Sequence, residues 1–216
     1  MLIIFDLDDT LIDTSGAITP FKMRQCLKRL IEEGAEVPDF EEAYAKLLSL
    51  NSTSARSQDA ILCFATQIGC QNTAKALAEL TKPLPPDFVI PLTPAAKEIL
   101  TFFKSNYLLT MVTAGSPSFQ REKMKKAGLD SSLFSKIAIP EDSIKKPAYE
   151  ALTREFLTDP RKTWVCGDRV EVDLVPAREL GLRTVHMRWG RGKLEMSPNW
   201  VDYSISSLSE LKGIIR

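Results

Sequence analysis

Two aspartates two residues apart, Asp6 and Asp8, follow directly on the short apolar run Leu2-Ile3-Ile4-Phe5. A run of that length, rich in β-branched and aromatic residues and closed by polar ones, reads as a buried strand. Residues i and i+2 of a strand share a face, so its exit delivers both carboxylates together. Crowded carboxylates repel, and they persist beside a cation, a shared proton or a chemical task.

Three further strand exits carry comparable chemistry. Val112-Thr113-Ala114-Gly115-Ser116 pairs a hydroxyl with small residues whose amides are open to an anion at a helix start. Ile144-Lys145-Lys146-Pro147 places a lysine, Lys146, just before a proline suited to the first turn of a helix. Val165-Cys166-Gly167-Asp168-Arg169 ends in an aspartate, with Asp173 about one turn further on. Taken singly, each is ordinary loop chemistry. In this order they describe a phosphate site. Asp6, Asp8 and Asp168 offer hard oxygen ligands for Mg²⁺, while Lys146, Thr113 and the Ala114 and Gly115 amides hold phosphoryl oxygens.

The elements that must position these groups alternate strand and helix. Strands are expected at 2–5, 108–112, 137–139, 164–166 and 184–187, and helices at 94–103, 118–127, 147–157, 170–180 and 208–215. Gly128 and Gly181 stand where helix C-caps belong. Such alternation predicts an α/β fold, a Rossmann-like parallel sheet covered by helices on both faces, with function gathered beyond the strands' carboxyl ends. The stretch 15–87 breaks the pattern. It shows helical periodicity at 21–31, 40–50, 54–68 and 73–80, with Cys26, Leu27, Leu30 and Ile31 on one face, and it closes on Pro83, Pro85, Pro86, Pro91 and Pro94. The expected organisation is therefore a catalytic core of 1–14 and 88–216 with a small inserted helical domain of 15–87.

Composition narrows the function classes. The 28 acidic residues balance the 28 basic ones among 216, so charge argues for neither nucleic acid nor an anionic membrane as partner. No apolar stretch reaches bilayer length, and a cytoplasmic protein is expected. Cys26, Cys63, Cys70 and Cys166 lack metal-ligand spacing and read as buried, reduced thiols. His186, the one histidine, falls inside an expected strand and reads as structural, which leaves acid–base work to carboxylates.

At this point the chain resembles the haloacid dehalogenase superfamily over nearly its whole length. Asp6-Leu7-Asp8-Asp9-Thr10-Leu11 is similar to the family's first motif, Thr113 to its second, Lys146-Pro147 to its third, and Gly167-Asp168 with Asp173 to its fourth. The likeness extends through Thr113-Ala-Gly-Ser-Pro-Ser-Phe-Gln-Arg-Glu-Lys123 and Asp173-Leu-Val-Pro-Ala-Arg-Glu-Leu-Gly181. The resemblance implies a helical cap between motifs one and two. It also implies Asp6 as nucleophile, with Asp8 protonating the leaving oxygen and then activating water. Mg²⁺ would be held by Asp6, the Asp8 carbonyl and Asp168, with Asp173 in support. The chain departs from the usual pattern at Ala114, where asparagine is commoner, and at Arg169, where a small polar residue is.

The expected activity is that of a Mg²⁺-dependent phosphatase acting on a small phosphorylated metabolite through an aspartyl-phosphate. A phosphosugar mutase shares every motif. A haloacid dehalogenase fits less well, since that branch lacks the acid aspartate that Asp8 supplies. A non-catalytic phospho-binding module fits less well again, since Asp6, Asp8, Lys146 and Asp168 are all present. Asp9 and Asp13 read as bystanders, the basic run 123–126 as a solvated helix face, and 188–193 as a surface loop. Arg56 is a candidate reader of an anionic substrate group. Oligomeric state is left open.

Overall fold

The hydrophobic run at the N-terminus becomes the central strand of a six-stranded sheet. The computed structural model describes residues 1–216. Its strands are β1 (Leu2–Phe5), β2 (Leu108–Val112), β3 (Lys136–Ala138), β4 (Thr163–Gly167), β5 (Arg183–Met187) and β6 (Tyr203–Ile205). They are all parallel, in the order β3-β2-β1-β4-β5-β6. Leu2 to Phe5 are completely buried, as a strand covered on both faces requires. In register, Phe5 lies between Met111 and Cys166. The polar residues following β1, β2 and β4 therefore emerge along one edge.

The helices are α1 (Thr19–Glu32), α2 (Phe40–Thr53), α3 (Ser57–Gln67), α4 (Ala74–Glu79), α5 (Ala96–Lys104), α6 (Pro117–Lys126), α7 (Lys146–Glu155), α8 (Val175–Glu179) and α9 (Leu211–Ile214). None is long and apolar enough to cross a membrane. The chain divides into two compact units, Met1–Ser15 with Pro85–Arg216, and Gly16–Leu84.

Within the first unit, α7 and α8 cover one face of the sheet, where Leu2, Ile4, Val112 and Val165 meet Tyr149, Leu152 and Ala177. The expected single helix over 170–180 is two pieces. A π-helical turn, Val170–Leu174, precedes α8, and Val175 N–H bonds back five residues to the Val170 carbonyl. Pro176 has no N–H to continue an α-helical ladder, which favours the wider turn there. The sixth strand escaped the sequence reading because it is three residues long, with Tyr203 and Ser204 exposed at the sheet edge.

In the second unit the four helices α1 to α4 bury Met23, Cys26, Leu27, Leu30, Leu47, Ile61, Phe64 and Ala76. The spacing 23, 26, 27, 30 is one helix face. Ile31, one residue beyond it, turns outward and is 38% exposed. Helix α3 begins at Ser57 rather than 54, because Arg56 is extended and forks onto Asp59 in the first turn. All four cysteines are free. Cys26 and Cys166 are buried as expected, whereas Cys63 lies on the exposed side of α3.

Leu27 and Ile31 should therefore differ sharply when truncated. Leu27→Ala is expected to cost about 2–5 kcal/mol in urea unfolding, and Ile31→Ala to stay within about 0.5 kcal/mol. Equal losses would contradict this helix face.

Candidate active site

Pairing continues past β1, for the Asp6 amide donates to the Cys166 carbonyl at 2.9 Å. The Asp6 side chain is thereby set at the sheet edge, 6% exposed. Beyond it the chain reverses, with Leu11 N–H on the Leu7 carbonyl and Asp9 N–H on the Ile12 carbonyl. Asp9 takes the left-handed conformation that the reversal needs, at φ 56°. Its carboxylate accepts from the Ser15 amide at 2.7 Å and the Ser15 hydroxyl at 2.5 Å. These bonds tie its carboxylate to the start of the next turn. Asp13 likewise accepts from the Trp189 indole at 3.0 Å.

Lys145 occupies the centre of the site. Its Nζ donates to Asp6 Oδ1 and to Asp173 Oδ1, each at 2.5 Å, and its side chain is 3% exposed. This corrects the expectation for Lys146, which lies on the exposed flank of α7 and pairs with Glu179 at 2.8 Å. Lys146 is the first residue of the helix and Lys145 its N-cap. Consecutive positions there project in different directions, by about 100° per helical residue. The proline bias that singled out Lys146 fixes where the helix starts, and the inward direction falls one residue earlier.

Asp168 and Asp173 complete the cluster from the β4 exit. Oxygens of Asp6, Asp168 and Asp173 all lie within 4.8 Å of one another, and all three residues are buried. Asp173 is also anchored by the Arg169 amide at 2.9 Å. Gly167 makes room for it, since a Cβ there would collide with the Asp173 carboxylate. His186 acts from beneath: its Nε2 donates to the Asp168 carbonyl at 3.0 Å, and its Nδ1 meets Ser197 Oγ at 2.6 Å. A carbonyl only accepts, so the proton sits on Nε2, and burial lowers the imidazole toward its neutral form. The loop after β5 closes the back of the site. Gly190 stands against the Asp9 carboxylate with φ 49°, where any side chain would clash. The 188–193 segment is thus more than a surface loop.

Electrostatics separate the two leading carboxylates. Burial pushes Asp6 up to about 7; Lys145 opposes the shift, while Asp173 and Asp8 reinforce it. Burial, Asp173 and Asp6 also hold Asp168 well above the usual carboxylate range. At Asp8 burial again raises the pKa, but Lys123 and hydrogen bonds from Gln120, Lys123 and Thr14 outweigh it and bring the group to about 2. One ammonium cannot compensate three ionised carboxylates, which is why Asp6 and Asp168 hold on to protons. Hard oxygen donors at this separation fit a divalent cation such as Mg²⁺, which would hold them ionised. The Asp8 carboxylate stands outside this group, on Lys123.

Gln120 and Lys123, within the stretch that resembles the family but with no role assigned to them from the sequence, are the neighbours of Asp8. Lys123 Nζ grips both Asp8 oxygens, at 2.8 and 3.0 Å, and the residue is 7% exposed. Gln120 Nε2 reaches Asp8 Oδ2 at 2.9 Å, Thr113 Oγ1 at 2.5 Å and the Ala114 carbonyl at 3.1 Å. The signal lay in spacing: Phe119, Gln120, Lys123 and Met124 form the buried face of α6. Only Lys125 of the run is fully exposed, since Lys126 bonds the Pro85 and Pro86 carbonyls. Thr113 accepts from Gln120 and keeps its own hydroxyl hydrogen. The Gly115 amide, expected to face an anion, donates instead to the Pro140 carbonyl at 3.2 Å. Arg56, exposed and paired with Asp59, is accounted for as a helix-start residue.

The two lysines make a direct comparison. Lys145→Met should lower turnover of p-nitrophenyl phosphate by about 10²-fold or more, with circular dichroism confirming the fold, while Lys146→Met stays within about twofold. The opposite ranking would contradict the placement of Lys145.

Known proteins bear on this geometry. The family model for haloacid dehalogenase-like hydrolases matches residues 1–181. The glyceraldehyde 3-phosphate phosphatase of Pyrococcus furiosus is 27% identical, over 99% of this chain and 92% of its own. Among solved structures, Bacillus subtilis YfnB, assigned as a HAD-hydrolase and bound to magnesium, superposes with a TM-score of 0.69 at 19% identity, covering 100% of this chain and 98% of that one. A Thermotoga maritima protein assigned as a β-phosphoglucomutase reaches 0.68 at 14% identity, covering 99% and 97%. At those identities the two structures speak to fold alone. The match to the family model, spanning the exits of β1 to β4, shows that this chain belongs to the haloacid dehalogenase-like hydrolases.

Proposed function

We propose that this protein is a Mg²⁺-dependent phosphatase that hydrolyses a small phosphorylated metabolite of the cytoplasm through an aspartyl-phosphate on Asp6. The observation that carries the proposal is the Lys145 bridge. It holds Asp6 at the sheet edge with its second oxygen free of that lysine, beside a differently poised carboxylate at Asp8. The phosphatase name of the Pyrococcus furiosus relative supports the reading and makes glyceraldehyde 3-phosphate the first metabolite to assay.

In this account an Asp6 oxygen attacks phosphorus, and the bond to the leaving oxygen breaks. The Thr113 hydroxyl and the Ala114 amide donate to phosphoryl oxygens, and Lys145 keeps Asp6 oriented. Asp6, Asp168 and the Asp8 backbone carbonyl would hold Mg²⁺, with Asp173 in support; the ion supplies positive charge to the phosphoryl oxygens. Asp8 then takes a proton from water as that water attacks phosphorus and the bond between the Asp6 oxygen and phosphorus breaks. This releases phosphate and restores the Asp6 carboxylate; the proton transfer suits a carboxylate that Lys123 keeps ionised. Protonating a leaving oxygen in the first half calls on the protonated form of Asp8, which Lys123 disfavours. A mutase would use the same groups and pass the phosphoryl group to a second hydroxyl rather than to water. A dehalogenase would have no use for Asp8.

Three outcomes test the proposal. Asp6→Asn should abolish phosphate release from p-nitrophenyl phosphate while preserving the circular dichroism spectrum; turnover by the folded variant would remove Asp6 as nucleophile. Stoichiometric release of inorganic phosphate from sugar phosphates, without isomer formation, separates phosphatase from mutase. The third outcome concerns pH. Asp6 is raised, so its protonated form stabilises the metal-free fold fully below about pH 4, and that contribution is lost as pH rises through about 7. Mg²⁺ replaces the proton, so it should raise Tm more at pH 8 than at pH 5. An equal shift at both would contradict binding at Asp6.

A further inference from the structure

Helix α6 does something for Asp8 that none of the motif residues does. Its carboxylate is gripped from one side by Lys123, both oxygens within 3.0 Å, and by Gln120 at 2.9 Å. Thr14 bonds Oδ1 from the other side. The Lys123 ammonium also lies 5.0 Å from the centre of the Phe119 ring, and both residues are buried. A buried ammonium that spends its donors on one carboxylate fixes that carboxylate's rotamer. Gln120 adds a strut: one amide nitrogen, with two hydrogens, serves Asp8, the Thr113 hydroxyl and the Ala114 carbonyl together. The phosphate-facing loop and Asp8 are therefore located relative to each other by a single side chain.

We propose that Lys123 and Gln120 are positioning residues of the reaction, holding the Asp8 carboxylate at a fixed place relative to the Thr113 loop. The inference rests on the reading of Asp8 as the proton-transfer group and adds the pair that aims it. Neither residue need touch substrate. An error of about 1 Å in aim costs on the order of 10² in rate, and a helix two turns long beyond its first residues is stiff enough to prevent it. The spacing Gln120-x-x-Lys123 puts both groups on one helix face, and Thr113 is tied to that same face.

The test uses the full chain with Mg²⁺ and p-nitrophenyl phosphate, comparing Lys123→Met, Lys123→Arg, Gln120→Leu, Asp8→Asn and the double variant Lys123→Met with Asp8→Asn. Lys123→Met should lose about 10²-fold in kcat with KM within about threefold, and Lys123→Arg should recover most of the loss. Gln120→Leu should fall in kcat in the same manner. The double variant should be no slower than Asp8→Asn alone, as expected of residues that act through one group. A rise in KM at constant kcat would overturn the proposal by making Lys123 a substrate ligand. Multiplicative losses in the double variant would overturn it by showing an effect independent of Asp8. Wild-type turnover by Lys123→Met with a slow Asp8→Asn would defeat the positioning role while sparing the reading of Asp8. Wild-type turnover by Asp8→Asn would defeat both. If circular dichroism shows the methionine variant unfolded, Lys123→Gln carries the same comparisons.

Discussion

A parallel sheet brings the carboxyl ends of its strands to one edge, and here that edge crowds Asp6, Asp168 and Asp173 around the single ammonium of Lys145. Removing one partner from such a buried pair typically costs about 3–5 kcal/mol, because the remaining charge is stranded. The surrounding structure is arranged around that cost. β1 is placed between β2 and β4, so that Asp6 emerges beside the β4 exit. Gly167 clears space for Asp173, and the Arg169 amide fixes it. His186 secures the Asp168 backbone from below. Even so, one lysine cannot neutralise three ionised carboxylates, so Asp6 and Asp168 retain protons that a divalent cation would displace.

The same edge holds two neighbouring carboxylates in opposite electrostatic states. Asp6 and Asp8 are separated by one residue, yet burial moves the first up toward 7, and Lys123 with its hydrogen-bonding neighbours pulls the second down to about 2. Divergent environments for paired titratable groups are how one site divides nucleophilic from proton-transfer work. The division depends on helix α6, which carries its own cation to Asp8 independently of the cluster on Asp6.

Much of this was legible from residue order. The alternation of strand and helix, the break over 15–87 and the acidic exits of β1 and β4 were readable because each rests on local pattern: apolar runs, turn residues and paired carboxylates. What local pattern did not specify was direction. Lys145 and Lys146 are chemically identical neighbours, and only the start of α7 decides which one points inward. Lys123 belongs to a basic run whose charge suggests a solvated face, whereas its spacing places it on the buried one. The pattern 119, 120, 123, 124 already described a buried face. The π-helical turn before α8 and the short edge strand β6 are products of tertiary context, with Pro176 the one local clue to the former.

The central claim is that Asp6 carries the phosphoryl group. It is tested most directly by trapping the enzyme during turnover with borohydride, which reduces an aspartyl-phosphate to homoserine, and mapping the modified peptide by mass spectrometry. The account predicts homoserine at position 6, dependent on substrate and Mg²⁺, with Asp8 unchanged. Active turnover that leaves residue 6 as aspartate, or that modifies another carboxylate, would contradict it.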